Sequence, residues 1–234
     1  MKHKQNLVVV PGLLCSSQLW QAQTDALADI ADPVLLDTTR DDCLADMVGR
    51  FLENAPSRFA LAGLSMGGYI AFEIFRQAPE RVTRLALLDT SARPDSEAQT
   101  LMRRELVALA RESGLRAAVE HHLPGFLRAP LFQESSWRER IFSMAETIGV
   151  DVYARQQAAI MQRPDSRPLL PAIEVPTLVI CGAEDILTPP DLHQEITDGI
   201  PGARLEVIEQ CGHLSTMEQP RAVNDLLRGW LEQV

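Results

Sequence analysis

The hexapeptide G-L-S-M-G-G at residues 63–68 constrains the fold most strongly, because it joins a predicted strand directly to a predicted helix. An apolar run at residues 59–62 precedes it, and residues 69–75 carry apolar side chains at a spacing near 3.6. A strand that turns at once into a helix forces the middle residue into a strained backbone conformation, which flanking glycines permit by removing Cβ atoms. The hexapeptide therefore predicts a sharp turn with the hydroxyl of Ser65 exposed at its tip.

Short apolar runs alternate with amphipathic segments along most of the chain. Strands are predicted at residues 5–10, 33–37, 58–64, 84–88, 177–181 and 204–208. The segments between them have the length of helical crossovers, which predicts a mostly parallel sheet with helices on both faces. Between residues 93 and 170 the pattern is helical only. We expect this stretch to be an all-helical cap over the carboxyl edge of the sheet, inserted in a core of residues 1–92 and 171–234.

Composition narrows the classes of partner. The 234 residues have a formal net charge of −10, which argues against nucleic acid or an anionic membrane as a partner. The four cysteines are scattered and lack metal-ligand spacing, so no metal site is predicted and reduced thiols in the cytoplasm are expected. No apolar run reaches the roughly 18 residues of a spanning helix. The sequence is compatible with a homodimer.

Three side chains with complementary chemistry each follow a predicted strand. Ser65, Asp185 and His213 stand after the third, fifth and sixth strands, whose carboxyl ends share one edge of a parallel sheet. A serine hydroxyl becomes a strong nucleophile when a base removes its proton, and a carboxylate holds that base in the required tautomer. Of the five histidines, only His213 follows a strand. Asp89 also follows a strand and is the alternative acid.

Several of these segments together resemble the α/β-hydrolase superfamily over nearly the whole chain. They are the hexapeptide, the Pro-Gly loop at residues 11–12, the segment G-A-E-D at residues 182–185 and the Gly-His pair at residues 212–213. The resemblance implies the α/β-hydrolase fold, with a six-stranded sheet flanked by helices and a helical cap. In that family G-x-S-x-G is the nucleophile elbow, and the triad partners follow in the order Ser, Asp, His.

The resemblance also implies roles for individual residues. It favours Asp185 over Asp89 as the acid, because residues 178–185 resemble the usual acid loop of the family. It assigns the backbone N–H groups of Leu13 and Met66 to an oxyanion hole. It implies no cofactor and a serine hydrolase, a carboxylic ester hydrolase that cleaves small esters, thioesters or lactones through an acyl-enzyme.

Two other functions stay open at the level of sequence. One is a C–C bond hydrolase or enol-lactonase of aromatic degradation, and the other is a non-catalytic ligand receptor on a hydrolase scaffold. Cap residues that could line an apolar pocket, or could simply pack the cap, are Leu123, Phe126, Leu127, Phe132, Trp137 and Met144. Arg103, Arg104 or Arg128 could bind a substrate carboxylate, although solvated helix faces are the preferred interpretation of these arginines.

Overall fold

Six strands form one parallel sheet in the computed structural model, which describes residues 4–233. They are β1 (Gln5–Val10), β2 (Ala31–Leu35), β3 (Phe59–Leu64), β4 (Val82–Leu88), β5 (Thr177–Gly182) and β6 (Arg204–Ile208). Their spatial order is β2-β1-β3-β4-β5-β6, and all five neighbouring pairs are parallel. The predicted α/β class and the six-stranded sheet are confirmed. Residues 1–3 and 234, which the predicted core includes, lie outside the described residues.

Helices cover both faces of this sheet and fill the segment between β4 and β5. Within residues 4–233 the α-helices are α1 (Gln21–Ala26), α2 (Leu44–Leu52), α3 (Met66–Gln77), α4 (Glu97–Ser113), α5 (Leu115–Phe126), α6 (Ser135–Ile148), α7 (Val150–Met161), α8 (Pro190–Gly199), α9 (Ser215–Glu218) and α10 (Pro220–Glu232). None of these combines the length and the apolar character that a membrane-crossing helix needs.

The central strands are apolar on both faces because helices cover both of their sides. Every residue of β3 and of β5 is buried, and so are the residues of α3 from Met66 to Phe75. The edge strands differ, since Val34 of β2 and Val207 of β6 are exposed. The buried interior therefore centres on β3 and α3, the two elements that meet at Ser65.

The second strand and the helix after it are placed differently from the sequence prediction, while β3, β4 and β5 differ from it by one or two residues at one end. The second strand lies at Ala31–Leu35 rather than at residues 33–37, and Pro33 is accommodated because β2 is an edge strand. The apolar spacing typical of a helix predicts that the next helix begins at Asp41, but α2 begins at Leu44, after an extended Cys43. Asp41 instead accepts a hydrogen bond of 2.6 Å from the guanidinium of Arg50.

Four helices, α4 to α7, lie between β4 and β5, as the helical pattern predicted. Helix α4 packs against α5 and α7, and α5 packs against α6. The two ends of this helical insert, residues 93–170, meet where the backbone N–H of Ser166 donates to the carbonyl oxygen of Ala92 at 2.8 Å. The division of the chain into a core domain and an inserted cap domain stays a prediction.

Candidate active site

The loops that follow β3, β5 and β6 bring three predicted side chains together. Nε2 of His213 lies 2.8 Å from Oγ of Ser65, and Nδ1 of the same ring lies 2.8 Å from Oδ2 of Asp185. These residues are separated by up to 148 positions in the chain. Parallel strands place all three loops at one edge of the sheet, which is why distant residues can converge there.

Ser65 sits in the sharp turn that the hexapeptide predicted. Its φ of +56° lies in the left-handed region, which is rarely populated by residues other than glycine. A Cβ at Gly67 would lie 2.2 Å from the carbonyl oxygen of Val10, and one at Gly68 would lie 2.3 Å from Oγ1 of Thr90. The glycines therefore allow α3 to start directly against β1 and against the end of β4.

The carboxylate of Asp185 is held by four donors. Oδ1 accepts the backbone N–H groups of Leu187 at 2.9 Å and Thr188 at 3.0 Å, while Oδ2 accepts the Thr188 hydroxyl at 2.7 Å. The bond to His213 completes the set. With both oxygens satisfied in a buried site, the carboxylate has a fixed orientation toward the imidazole.

A glycine lets the loop that carries His213 pack against the end of β5. A Cβ at Gly182 would lie 2.2 Å from the carbonyl oxygen of Gly212, so any larger residue would push the two loops apart. The backbone N–H of Glu184 donates to the carbonyl oxygen of Cys211 at 2.8 Å and joins the loops directly. Histidine and aspartate are thus positioned by backbone contacts as well as by their own bond.

The pKa values of the pair are shifted in opposite directions. Burial by itself raises the pKa of Asp185, but the charge of His213 and its hydrogen bond outweigh burial, so this pKa is lowered. Burial by itself lowers the pKa of His213, but the charge and hydrogen bond of Asp185 raise it above the ordinary value. An ionised carboxylate fixes the proton of the neutral ring on Nδ1, which leaves Nε2 as the acceptor for the Ser65 hydroxyl.

Asp89, the alternative acid, is bound to the backbone rather than to the imidazole. Its oxygens accept the N–H of Gly182 at 3.2 Å and the N–H of Ser215 at 3.1 Å. Burial, reinforced by the negative charge of Asp185, raises the pKa of Asp89 well above its usual value. Asp89 therefore ties the end of β4 to the acid loop and to the segment after His213.

Two backbone N–H groups beside Ser65 are available to a ligand. Met66 is the first residue of α3, where N–H groups have no partner inside the helix. The N–H of Leu13 makes no hydrogen bond within the part of the chain that the structure describes. Leu13 lines the same pocket as Ser65, and a Cβ on the adjacent Gly12 would lie 3.4 Å from Cβ of Ser65. These are the two groups that the sequence assigned to an oxyanion hole.

A pocket of about 450 Å³ opens beside Ser65 and His213. Its remaining lining residues are Leu13, Tyr69, Ser91, Arg93, Pro94, Asp95, Ser96, Gln99, Met102, Arg103, His122, Phe126, Ile160, Arg163, Arg167, Leu187, Thr188 and Leu192. Of the six apolar cap residues considered from the sequence, only Phe126 belongs to this set. The rest pack the insert, as shown by Leu123, Leu127 and Met144, each 1% exposed. Packing on a core requires the same residue types as lining a pocket, so the pattern could not separate the two.

Sequence reasoning missed most of the polar lining. His122 was not grouped with the site because it follows no predicted strand, yet it lines the pocket and stacks on Phe126 with a ring separation of 5.2 Å. Arg103 was interpreted as part of a solvated helix face, which is wrong, because its side chain is only 14% exposed. The sequence does contain a signal for these pocket residues. The tetrapeptide R-P-D-S, which supplies Arg93, Asp95 and Arg163, occurs twice, at residues 93–96 and 163–166.

Two further histidines near the site, the half-buried His122 and the buried His193, are neutral at pH 7. Burial lowers the pKa of His122 to about 3 and that of His193 to about 4. Nε2 of His193 accepts the backbone N–H of Thr90 at 2.8 Å, an acceptor role that requires the neutral ring. His213, whose pKa is raised instead, is therefore the histidine of this site that is set up to take up a proton.

No group of three or more His, Cys, Asp or Glu side chains within residues 4–233 is arranged to hold a metal ion.

Comparison with known proteins places this chain in a family. The model of the alpha/beta hydrolase family matches residues 7–226. A thermophilic esterase from Thermogutta terrifontis is 29% identical with a TM-score of 0.87, covering 97% of this chain and 89% of that one. BpoC of Mycobacterium tuberculosis, a protein named after the non-heme bromoperoxidases, is 33% identical over 183 residues, which are 74% of this chain and 67% of BpoC.

The 3-oxoadipate enol-lactonase 2 of Acinetobacter baylyi is 34% identical over 168 residues, which are 69% of this chain and 59% of the lactonase. The family match spans nearly the whole sequence, and it agrees with the six-stranded parallel sheet and the turn at Ser65. This chain belongs to the alpha/beta hydrolase family.

Proposed function

We propose that this protein is a cofactor-free serine hydrolase that cleaves small carboxylic esters, thioesters or lactones through an acyl-enzyme. The observation that carries the proposal is the pair of 2.8 Å hydrogen bonds that link Ser65 to His213 and His213 to Asp185 at the wall of a pocket. The esterase and the enol-lactonase among the relatives support ester and lactone substrates.

In the first step, Oγ of Ser65 attacks the carbonyl carbon of the substrate while Nε2 of His213 takes the hydroxyl proton. Asp185 stabilises the resulting imidazolium through its bond to Nδ1. The carbonyl oxygen becomes an oxyanion, which the N–H groups of Leu13 and Met66 stabilise. A preorganised donor of this kind contributes roughly 3 kcal/mol to the transition state. The imidazolium then gives its proton to the leaving alcohol, and the acyl group stays on Ser65.

In the second step, water replaces the alcohol. The water attacks the acyl carbon while His213 takes one of its protons. His213 then returns a proton to Oγ of Ser65 when the bond between this oxygen and the acyl carbon breaks. The acid product leaves and the hydrogen-bonded arrangement is restored. A lactone follows the same steps, except that the leaving hydroxyl remains part of the product.

The direct test compares hydrolysis of p-nitrophenyl acetate and butyrate by the natural protein and by Ser65→Ala. We expect Ser65→Ala to lower kcat/KM by roughly 10⁴ or more, because it removes the nucleophile. Ser91→Ala is the matched control, since Ser91 also lines the pocket but its Oγ accepts the backbone N–H of Arg93. It should stay within about threefold of the natural protein.

The alternative functions give different results. A ligand receptor on this scaffold would hydrolyse a broad ester panel no faster than Ser65→Ala does, and would bind one ligand saturably. A C–C hydrolase would release a carboxylic acid and a shortened carbon fragment from a ring-fission substrate, which product analysis detects. Equal ester turnover by the natural protein and Ser65→Ala would contradict the proposed hydrolase.

A further inference from the structure

Positive charge is concentrated in the pocket of a chain that is negative overall. Four arginines line the pocket, namely Arg93, Arg103, Arg163 and Arg167, whereas Asp95 is the one carboxylate among its described lining residues. The formal charge of the whole chain is −10. A pocket whose charge is opposite in sign to that of the whole molecule points to an anionic ligand.

Two of these arginines are already neutralised by carboxylates. Arg93 forms a bidentate pair with Glu195 at 2.9 and 3.0 Å, and Arg167 pairs with Asp165 at 2.7 Å. Their side chains are about half exposed, at 50% and 46%. These pairs leave the other two arginines as the source of any surplus charge.

Arg103 and Arg163 share one carboxylate in the interior. Nε of Arg103 donates to Oδ2 of Asp95 at 2.7 Å, and Nη1 of Arg163 donates to Oδ1 of the same side chain. The side chain of Asp95 is 1% exposed and that of Arg163 is 5% exposed. Two guanidiniums and one carboxylate leave one positive charge beside the pocket, and a buried charge without a counterion is costly.

The two guanidiniums also retain hydrogen-bond donors. Nη2 of Arg163 makes no hydrogen bond within residues 4–233, while its Nε and Nη1 are used by Arg93, Asp95 and Ile160. Nη1 of Arg103 uses one of its two hydrogens on Oε1 of Gln157 at 2.9 Å. An anion in the pocket would therefore meet both charge and free N–H groups.

We propose that the substrate carries a free carboxylate, remote from the bond that Ser65 attacks, and that Arg103 and Arg163 bind it. This inference rests on the proposed hydrolase function and specifies its substrate class as half-esters of dicarboxylic acids, or lactones that bear a carboxylate. One surplus positive charge matches the single charge of a carboxylate, whereas a phosphate monoester is close to a dianion at neutral pH. A planar carboxylate also matches the fork geometry of guanidinium donors.

The test compares monomethyl adipate with methyl hexanoate, which differ in a terminal carboxylate and a terminal methyl group. We expect kcat/KM to be at least about tenfold higher for the half-ester in the natural protein. Arg103→Gln should remove that preference, because kcat/KM for monomethyl adipate should fall at least about tenfold more than kcat/KM for methyl hexanoate. Arg163→Gln should have the same effect, because either change leaves Asp95 paired with a single arginine and so removes the surplus positive charge.

Arg104→Gln is the matched control, since Arg104 is the next residue of α4 and is exposed. It should keep the natural preference, and Arg103→Lys should keep part of it. Thermal unfolding of each variant confirms that it is folded. Binding of both esters to Ser65→Ala, measured by calorimetry, gives a readout that does not depend on catalysis.

The outcomes separate the two proposals. If neither ester is hydrolysed but Ser65→Ala binds the half-ester more tightly than the neutral ester, and Arg103→Gln abolishes the difference, the carboxylate site stands and the hydrolase proposal fails. If esters are hydrolysed with no preference for the carboxylate at any chain length from monomethyl succinate to monomethyl pimelate, or if Arg103→Gln lowers both rates equally, the carboxylate site is overturned. If monomethyl adipate is not preferred but another half-ester between monomethyl succinate and monomethyl pimelate is, the carboxylate site is supported. The preferred chain length then gives the distance of the site from Ser65.

Discussion

Ser65 combines a strained backbone with a satisfied side chain. A non-glycine residue at a φ of +56° costs on the order of 1–3 kcal/mol, which the surrounding contacts must offset. Two of those contacts are visible, since the N–H of Ser65 donates to Leu88 at 2.9 Å and its carbonyl accepts the Thr90 hydroxyl at 2.8 Å. This backbone conformation aims the hydroxyl at His213 instead of into the helix, so under the proposed function the strain is part of the mechanism.

The pH dependence of the proposed reaction follows from the protonation state of His213. Because the base must be neutral and Asp185 raises its pKa above the ordinary 6.5, kcat/KM should rise with pH through a midpoint above 6.5. Asp185→Asn removes the charge that raises this pKa, so the midpoint should move to lower pH. The same variant should lose roughly a thousandfold or more in kcat/KM, since the ring loses its oriented partner. A pH series of ester hydrolysis measures both effects.

Glu184→Gln is the control for that variant, because it makes the same chemical change at the neighbouring, exposed position. It should leave the midpoint and the rate within about twofold of the natural protein. An Asp185→Asn profile with an unchanged midpoint would show that the carboxylate does not control the base.

Among the elements, α3 depends on the absence of a side chain at Gly68. A Cβ there would lie 2.3 Å from Oγ1 of Thr90, which in turn holds the carbonyl of Ser65. We expect Gly68→Ala to lower the free energy of unfolding by about 2 kcal/mol, as overpacking commonly does. Gly229→Ala in α10 has open space and should raise it by about 0.5–1 kcal/mol through helix propensity. Urea titration measures both changes, and equal effects would contradict the packing argument.

The two ends of the helical insert are joined by the first R-P-D-S tetrapeptide. Asp95 bonds Arg103 of α4 and also Arg163, which follows α7, while Nε of Arg163 donates to the carbonyl of Arg93 at 3.0 Å. In the second tetrapeptide, Asp165 is 35% exposed and pairs only with the neighbouring Arg167 among the described residues. The same tetrapeptide therefore supplies a buried aspartate that joins the two ends of the insert at residues 93–96, and an exposed aspartate in a surface ion pair at residues 163–166.

These two environments predict different costs for the same substitution. Asp95→Ala leaves two buried guanidiniums without a counterion and should lower the free energy of unfolding by about 3–5 kcal/mol. Asp165→Ala breaks an exposed pair, which is typically worth less than about 1 kcal/mol. Denaturant unfolding of both variants provides the comparison, and similar losses would show that Asp95 does not clamp the insert.

For the whole molecule, the features that the sequence predicted well are those with a local cause. Strands buried on both faces read as solid apolar runs, and residues that follow parallel strands reach one edge by topology alone, so Ser65, Asp185 and His213 could be grouped. The sharing of Asp95 by Arg103 and Arg163 joins positions up to 68 residues apart through side-chain geometry. No periodicity records such a contact, which is why Arg103 was interpreted as a surface residue. The start of β2 was predicted at Pro33 instead of Ala31 for a similar reason. A strand tolerates an internal proline only at the edge of a sheet, and the order of the strands is not visible in the sequence.

The central claim is that Ser65 is the nucleophile activated by His213, and covalent labelling with a fluorophosphonate tests it most directly. The account predicts one label per chain, located on Ser65 by peptide mass spectrometry, and labelling that slows by at least about a hundredfold in His213→Ala. Folded protein that takes up no label, or a label on another residue with Ser65 unmodified, would contradict it.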